Sequence, residues 1–259
     1  MKNVLYYHIY LTDDYASWAY MFMEQFKMLE DKQLLRQLDE VNIICVSQQD
    51  KRVGIFADLC ATFRPMNVFA VPNNHADDSS MLSGINTDKT VTENVTMRKI
   101  WNDSQIHDMK VMYLHSKGIT AVDNHLKNGN VNVFKNYYYW RKFLEWGVVE
   151  KWSQCCFLLN RYDTIGVNYF NEPSPHYSGN FWWANSSYIK TLPNPATLDW
   201  WKELQQKTND PWLKTAPDRF RDEMWLCSKE GKHLSMKSLD KVTNLSAELI
   251  KRKQYEPYN

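Results

Sequence analysis

Continuous apolar runs alternate with helical patterns along the first third of the chain. Apolar and aromatic residues fill 4–11, 41–46 and 68–71 almost without a break, which is typical of strands buried on both faces of a parallel sheet. Between these runs, apolar side chains recur at helical spacing, first at Trp18, Phe22, Phe26 and Leu29 and then at Val53, Phe56, Cys60 and Phe63. This order predicts an α/β, Rossmann-like domain with a mostly parallel central sheet flanked by helices.

The rest of the chain is less regular. Residues 73–92 and 120–133 are rich in polar and turn-forming residues and predict long loops. The hydrophobic pattern predicts helices at 93–107, 134–152, 187–192, 198–207 and 217–230, and strands at 111–114, 164–169 and 177–184. We therefore expect one domain over 1–259, with a first half over about 1–118, a second half over about 119–230 and a polar tail over 231–259.

Charge and cysteine content exclude several classes of protein. The chain has 31 basic and 30 acidic residues, so it offers no field of one sign to hold nucleic acid. Five cysteines without a C-x-x-C pair favour reduced thiols over a disulfide framework or a zinc site. The first residues lack the apolar run of a signal peptide, and no stretch reaches 18 uncharged apolar residues. These features predict a cytoplasmic protein without a membrane span.

A polar segment follows the strand predicted at 111–114. His115, Ser116, Lys117 and Gly118 come directly after it, so their side chains should lie at the sheet edge where ligands bind in this class of fold. Lys117 can neutralise a diphosphate, His115 can bind a phosphate or a metal, and Gly118 permits close approach of the backbone. An ordinary loop at the end of a strand explains the same residues.

Aromatic residues make up 14% of the chain, and the most informative group of them is 176–184. Trp182 and Trp183 are adjacent on a predicted strand, so they should point to opposite faces, one into the core and one towards a ligand. Aromatic faces stack on sugar rings, and amide and hydroxyl groups bind sugar hydroxyls. Candidate sugar ligands are therefore His176, Ser178, Gly179, Asn180, Trp182 and Trp183. A purely structural role for this aromatic segment remains the alternative.

Two acidic positions in the second half have the chemistry of a general base. Asp222 and Glu223 are adjacent near the start of a predicted helix, where only one of them is expected to face a site. Asp163 precedes a predicted strand and either orients an acceptor or forms a turn. Two solvated acids on a helix surface explain Asp222 and Glu223 equally well.

Taken together, these residues resemble a family of small GT-A-like glycosyltransferases found with bacterial surface-glycan genes and in large DNA viruses of algae. The similarity covers most of residues 1–230, and its most specific part is the Ser-Gly-Asn-Phe-Trp-Trp element at 178–183. The other matching segments are Tyr-Tyr-His-Ile-Tyr at 6–10, Tyr-Leu-His-Ser-Lys-Gly at 113–118, Trp-Arg at 140–141, Asp163 with Gly166, and Glu-Met-Trp at 223–225.

The resemblance implies a GT-A fold that transfers a sugar from a nucleotide-sugar donor, UDP-sugar by preference, to a glycan hydroxyl. It implies a hexosyl- or pentosyltransferase that works in the cytoplasm of a bacterium or of a virus-infected host cell. Donor contacts are expected mostly from the first half, with Arg141 from the second, and sugar contacts from the second half, with a late acid, Glu223, as the base of an inverting member. The donor-binding residues implied are His8, Tyr10, His115, Lys117, Gly118 and Arg141.

One departure from the family pattern concerns the metal. GT-A enzymes usually carry Asp-x-Asp after the mid-chain strand to hold Mn²⁺ or Mg²⁺, and here that place reads His115-Ser116-Lys117. Either Lys117 replaces the metal charge, or a metal is held by other groups, for which His115, Asp77 and Asp78 are candidates. A carbohydrate-binding protein without catalytic activity is the alternative, since it explains the aromatic content without Lys117 or Glu223. A nucleotide-processing hydrolase explains the strand order but not the aromatic element.

Overall fold

A computed structural model describes residues 1–47, 50–72, 93–119, 122, 125, 128–129, 131–217, 220–239 and 250–256. Asp77 and Asp78 therefore lie outside the described residues. None of the helices in these ranges is both long enough and apolar enough to cross a membrane.

Seven strands form one central sheet, and a short hairpin lies beside it. The strands are β1 (Lys2–Leu11), β2 (Glu40–Ser47), β3 (Asn67–Pro72), β4 (Met109–His115), β5 (Thr164–Gly166), β6 (Tyr169–Phe170), β7 (His176–Tyr177), β8 (Trp182–Asn185) and β9 (His233–Ser235). The order in the sheet is β3-β2-β1-β4-β8-β5-β9, and β6 pairs with β7. Among these seven strands only β8 runs antiparallel to its neighbours, so the predicted mostly parallel α/β sheet is confirmed.

Helices connect and cover the strands. They are α1 (Tyr15–Asp31), α2 (Asp50–Ala61), α3 (Asn94–Ile106), α4 (Val131–Glu145), α5 (Trp152–Leu158), α6 (Ser186–Ile189), α7 (Asp199–Lys207), α8 (Pro211–Thr215) and α9 (Arg221–Met224). A π-helical turn follows α4 at Trp146–Glu150, and a 3₁₀ turn follows α9 at Trp225–Cys227.

The helix α1 shows why the first half folds as its pattern predicts. Asp14 caps the helix by accepting hydrogen bonds from the backbone N–H groups of Ala16 and Ser17, which would otherwise lack partners. Its apolar stripe, including Phe22 and Phe26, is fully buried against the sheet, and Phe26 meets the ring of Tyr7 edge-on at 5.3 Å. The predicted amphipathic helix is therefore confirmed.

Both faces of the central sheet are covered. Alternate residues of β1 belong to two separate hydrophobic clusters, with Leu5 and Tyr7 on one face and Val4 and Tyr6 on the other. This is why β1 reads as a continuous apolar run instead of an alternating one. It also means that a side chain on either face of an inner strand is buried, whichever way it points.

The strand order reverses between β1 and β4, and this reversal positions the candidate site. From β1 the chain adds β2 and β3 on one side and then crosses to β4 on the other side of β1. Parallel sheets bind ligands in the crevice outside the carboxyl ends of the strands at such a reversal. His8 of β1 and His115 of β4 are paired in register next to this edge.

Several predicted boundaries in the second half are wrong. The strand predicted at 177–184 is two strands, β7 and β8, separated by a turn in which Gly179 (φ 95°) and Asn180 (φ 59°) have left-handed backbone conformations. The helix predicted at 217–230 is the short α9 with its 3₁₀ turn. The edge strand β9 lies inside the stretch that the pattern assigns to a polar tail, where it pairs with β5.

Candidate functional site

Two histidines lie side by side at the β1–β4 edge. His8 is buried, and its Nδ1 lies 2.8 Å from the Thr96 hydroxyl on α3. Burial lowers the pKa of His8 to about 4, and neighbouring His115 acts in the same direction, against the opposing effect of Glu93. His8 is therefore neutral near neutral pH, where it can exchange hydrogen bonds but carries no charge.

The carboxylate of Glu93 joins three parts of the structure. Its Oε2 accepts hydrogen bonds from the Tyr113 hydroxyl at 2.8 Å and from Nδ2 of Asn180 at 2.9 Å. The same oxygen lies 3.2 Å from Nδ1 of His115. Burial opposes its ionisation, but His115, His8 and Lys117 outweigh this and hold the pKa of Glu93 below its usual range. A carboxylate held ionised so firmly is a weak base and a strong anchor.

Lys117 lies just beyond β4 between an aromatic ring and an acid. Its Nζ is 4.2 Å from the centre of the Trp140 ring and 3.6 Å from Oε1 of Glu223. Its backbone carbonyl accepts a hydrogen bond from Nη1 of Arg141 at 3.4 Å. Only 13% of the Lys117 side chain is exposed, so its ammonium group has little freedom to move at this edge of the sheet.

The two acids of α9 have different surroundings. Asp222 is buried, and its Oδ1 accepts a hydrogen bond from Nδ2 of Asn94 at 3.1 Å and lies 3.5 Å from Nε of Arg221. Glu223 is 26% exposed and reaches Lys117. Only one of the two adjacent acids is open to solvent, as expected for neighbours on a helix.

The turn between β7 and β8 brings the sugar-binding candidates to the same edge. Asn180 donates to Glu93 and, at 3.3 Å, to the backbone carbonyl of Asp222, and its Oδ1 accepts from Nε1 of Trp182 at 2.9 Å. Gly179 packs so closely on α4 that a Cβ there would lie 2.6 Å from Leu144 and 3.0 Å from Nε1 of Trp140. The turn therefore depends on glycine.

The structure thus brings together many of the residues predicted from the sequence. We call the site that they form the crevice. The crevice consists of His8, Glu93, His115, Lys117, Gly179, Asn180, Asp222 and Glu223. Gly118 (φ 83°) lies at its edge against Tyr137, and the backbone N–H of Tyr10 reaches the Ser116 hydroxyl at 3.4 Å.

Two of the predicted sugar ligands have a different role. Trp182 and Trp183 do point to opposite faces, but both side chains are fully buried, so the prediction that one of them faces a ligand is wrong. Both faces of the sheet are covered at β8, so the alternation of side chains along this strand places Trp183 in one hydrophobic core and Trp182 in the other. Nε1 of Trp183 donates to the backbone carbonyl of Val148 at 2.9 Å, and Trp182 orients Asn180.

Asp163 and His176 do not join the crevice. Asp163 lies at the amino end of β5, and its carboxylate accepts the backbone N–H of Lys232 at 2.8 Å. Because β5 runs parallel to β4, this is the opposite edge of the sheet, and a catalytic role for Asp163 in the crevice is wrong. Nδ1 of His176 contacts the backbone carbonyl of Ser174 at 2.7 Å within the β6–β7 hairpin. Ser178 directly follows this hairpin, and its backbone N–H donates a hydrogen bond to the backbone carbonyl of Asn168 at 3.1 Å.

Arg141 supports the crevice from behind. Its side chain is 1% exposed and forms ion pairs with Glu24 and, at 3.2 Å, with Glu145. These two acids raise its pKa against the effect of burial, so the guanidinium stays charged. The expectation that Arg141 contacts a donor directly is therefore wrong. Its guanidinium instead donates to the backbone carbonyl of Lys117 and so fixes the chain at that point.

Sequence reasoning gave no role to Glu93, Asn94, Tyr113 or Trp140, although Tyr113 and Trp140 belong to segments that match the family pattern. Glu93 follows the predicted loop and begins the next helix, where an acid looks like an ordinary capping residue. In the sequence, Tyr113 and Trp140 look like ordinary aromatic residues of a hydrophobic core. Only the position of Tyr113 two residues before His115, on the same face of the strand, pointed to the site.

The candidate metal ligands lie apart or outside the described part of the chain. No group of three His, Cys, Asp or Glu side chains there is close enough to hold an ion. Of the proposed ligands, His115 contacts Glu93, while Asp77 and Asp78 are outside the described residues.

A second cavity, of about 1000 Å³, lies elsewhere in the molecule. Tyr169, Trp200, Ser228 and His233 are among the residues that line it, and so is Asp163. It shares no residue with the crevice. The crevice remains the candidate active site because it lies at the strand-order reversal and brings a lysine and a carboxylate, Lys117 and Glu223, into contact.

Comparison with known proteins identifies a family without an assigned activity. Residues 6–237 match the family described as Domain of unknown function (DUF8361), and the chain belongs to that family. No curated protein matches it.

Proposed function

We propose that the crevice transfers a sugar from a nucleotide-sugar donor, preferably a UDP-sugar, to a hydroxyl group of a glycan acceptor. The observation that carries this proposal is the contact between Lys117 and Glu223. These residues are far apart in the sequence, and they meet at 3.6 Å at the reversal of strand order. A cation for a diphosphate and a carboxylate for a hydroxyl proton are the two groups that such a transfer requires.

The donor side of the proposal rests on the ends of β1 and β4. Lys117, whose ammonium group lies over the Trp140 ring, supplies a positive charge that can meet the two phosphates, and neutral His8 supplies hydrogen bonding to a base or ribose. When the bond from the anomeric carbon to the β-phosphate oxygen breaks, negative charge grows on that oxygen. A fixed ammonium group stabilises such developing charge without reorganisation.

The acceptor side rests on Glu223. In an inverting transfer the acceptor oxygen attacks the anomeric carbon, the nucleoside diphosphate leaves, and the acceptor proton passes to a carboxylate. Glu223 suits this role because it is ionisable and partly exposed, so it can meet an acceptor hydroxyl. Asp222 is buried, and basic neighbours, His115 first among them, hold the pKa of Glu93 below its usual range.

The proposal includes a GT-A fold for this domain. The mostly parallel sheet, the crevice at β1 and β4, the glycine turn before β8 and the late acid support it. The burial of Trp182 and Trp183 weakens the alternative of a carbohydrate-binding protein at this element, because no aromatic platform is left there.

The first experiment measures binding of the donor. UDP-, GDP-, CMP- and dTDP-sugars are added with and without Mn²⁺, and the melting temperature is followed, because a ligand that binds the folded state raises it by mass action. Calorimetry then compares Lys117→Met with Lys151→Met, a matched control whose ammonium lies 5.6 Å from the Trp146 ring. We expect Lys117→Met to weaken donor binding by about 10- to 100-fold and the control by less than about twofold.

The second experiment separates binding from chemistry. Glu223→Gln keeps the shape of the side chain and removes the base, so we expect transfer to fall by about 10²–10⁴-fold while donor binding survives. Glu150→Gln is the control, because Glu150 also pairs with a lysine, Lys32, at 2.9 Å but lies away from the crevice. The proposal is contradicted if no nucleotide sugar binds at millimolar concentration, or if Glu223→Gln transfers sugar at the wild-type rate.

A further inference from the structure

Two consecutive residues of α4 hold Lys117 at both of its ends. The ammonium nitrogen lies 4.2 Å from the centre of the Trp140 ring. The backbone carbonyl of Lys117 accepts a hydrogen bond from Nη1 of Arg141 at 3.4 Å. A lysine carries its charge on a flexible four-carbon stem, and an unrestrained ammonium group samples many positions. Contacts with one helix therefore restrain both the origin and the tip of this side chain.

The indole ring of Trp140 is itself fixed by packing. It is 9% exposed, and the ring of Tyr137 lies beside it with centres 5.8 Å apart. On the side of its Nε1 it meets Gly179, where an added Cβ would lie 3.0 Å away. Within the described residues Nε1 has no hydrogen-bond partner, so shape alone sets the position of the ring. A smaller aromatic ring can therefore keep the contact with the ammonium group.

The contact between Lys117 and Glu223 is loose. Nζ and Oε1 are 3.6 Å apart, whereas charge-assisted hydrogen bonds of this kind are about 2.7–2.9 Å long. The attraction between opposite charges grows as they approach, so an unrestrained ammonium group would close this gap. The two groups would then be occupied with each other. The face of the Trp140 ring attracts the ammonium group at another point and so opposes this closure.

We infer that Trp140 is a positioning residue that holds the ammonium group of Lys117 ready for the diphosphate of the donor. The inference rests on the transfer proposed for the crevice. A cation that is already in place does not have to be ordered when the donor binds. Ordering a mobile lysine side chain on binding would reduce affinity by up to about 30-fold.

The first test titrates UDP, which carries the diphosphate, into the full-length protein and its variants by calorimetry. Trp140→Leu removes the ring and should weaken binding by about 5- to 30-fold. Trp140→Phe keeps a ring face and should weaken it by less than about threefold. Trp146→Leu is the control, because Trp146 is also buried beneath a lysine, Lys151, at 5.6 Å. It should change UDP binding by less than about twofold.

A double variant separates positioning from a merely structural role. If Trp140 acts through Lys117, then Trp140→Leu should weaken UDP binding by less than about twofold once Lys117→Met has removed the ammonium group. A general disturbance of the crevice would instead weaken binding by the same factor in both backgrounds. Thermal unfolding of each variant establishes that it is folded.

A measurement without any ligand tests the contact itself. In NMR spectra of protein with ¹³C-labelled lysine, the signal that disappears in Lys117→Met belongs to Lys117. The ring current of Trp140 should shift its ε-CH₂ protons upfield in the wild type, less in Trp140→Phe and not in Trp140→Leu. This wild-type signal is informative even if a Trp140 variant does not fold.

Three results overturn the inference. They are a wild-type Lys117 signal without an upfield shift, wild-type UDP affinity in Trp140→Leu, and equal effects of Trp140→Leu with and without Lys117. Absence of nucleotide and nucleotide-sugar binding by the wild type contradicts the proposed transfer, and with it the role of the positioned cation. Donor binding that does not depend on Trp140 contradicts this inference alone.

Discussion

Replacement of Gly179 by alanine tests the geometry of the crevice most sharply. The residue has φ 95°, a conformation that L side chains rarely adopt. A Cβ there would lie 2.6 Å from Cδ1 of Leu144 and 3.0 Å from Nε1 of Trp140. The substitution therefore introduces both backbone strain and a steric conflict with α4, the helix that holds Trp140 against Lys117.

The magnitude follows from these two effects. A left-handed backbone costs a residue with a Cβ about 1–2 kcal/mol, and overpacking of a well-packed core costs about 1–3 kcal/mol. The free energy of unfolding of Gly179→Ala should therefore fall by about 2–5 kcal/mol. At about 2 °C per kcal/mol for a chain of this length, its Tm should fall by about 4–10 °C.

A matched substitution isolates the local cause. Gly54 lies exposed in α2, where an added Cβ meets no atom within 4 Å. Because alanine is the better helix former, Gly54→Ala should raise the free energy of unfolding by up to about 1 kcal/mol. Differential scanning calorimetry and urea denaturation of both variants measure the difference. Equal stability of Gly179→Ala and the wild type would refute the turn conformation and the packing of Leu144 described above.

Two further predictions concern buried side chains. His8 takes up a proton less readily in the folded state than in the unfolded state, since its pKa is about 4 instead of 6.5, so its contribution to stability is complete above pH 6.5 and is lost as the pH falls towards 4. This amounts to about 3 kcal/mol, and urea denaturation across that range should show a shallower decline in His8→Asn than in the wild type. Trp182→Ala and Trp183→Ala should each lower the free energy of unfolding by about 3–5 kcal/mol, and a variant with wild-type stability in the same assay would show that its tryptophan is not a core residue.

The first half of the fold could be predicted because its strands are long. Runs such as β1 and β2 are buried on both faces, so an unbroken apolar pattern identifies them, and the helices between them have clear amphipathic stripes. In the second half the strands β5 to β9 contain two to four residues each. Such short strands show no period, and their positions depend on long-range pairing that the local sequence does not reveal.

The site could be predicted only where chemistry and position coincide in the sequence. His115 and Lys117 follow a recognisable strand, and Asp222 and Glu223 are adjacent acids on a helix, so their types and positions indicated a site. The two tryptophans show the limit of this reasoning. Strand alternation established that Trp182 and Trp183 point to opposite faces, but it does not show which faces are covered by other elements.

Glu93 explains how the separate parts of the crevice hold one geometry. Its Oε2 meets Tyr113 and His115 from β4 and Asn180 from the glycine turn. One ionised oxygen thus fixes the distance between the proposed donor side and the turn that leads towards Asp222. Charge-assisted hydrogen bonds of this kind are stronger than neutral ones, and they cost no rearrangement when a ligand arrives. A carboxylate with this role must stay ionised, which is why the basic neighbours that make Glu93 a poor proton acceptor also make it an effective anchor, and why the proton of an acceptor is better assigned to Glu223.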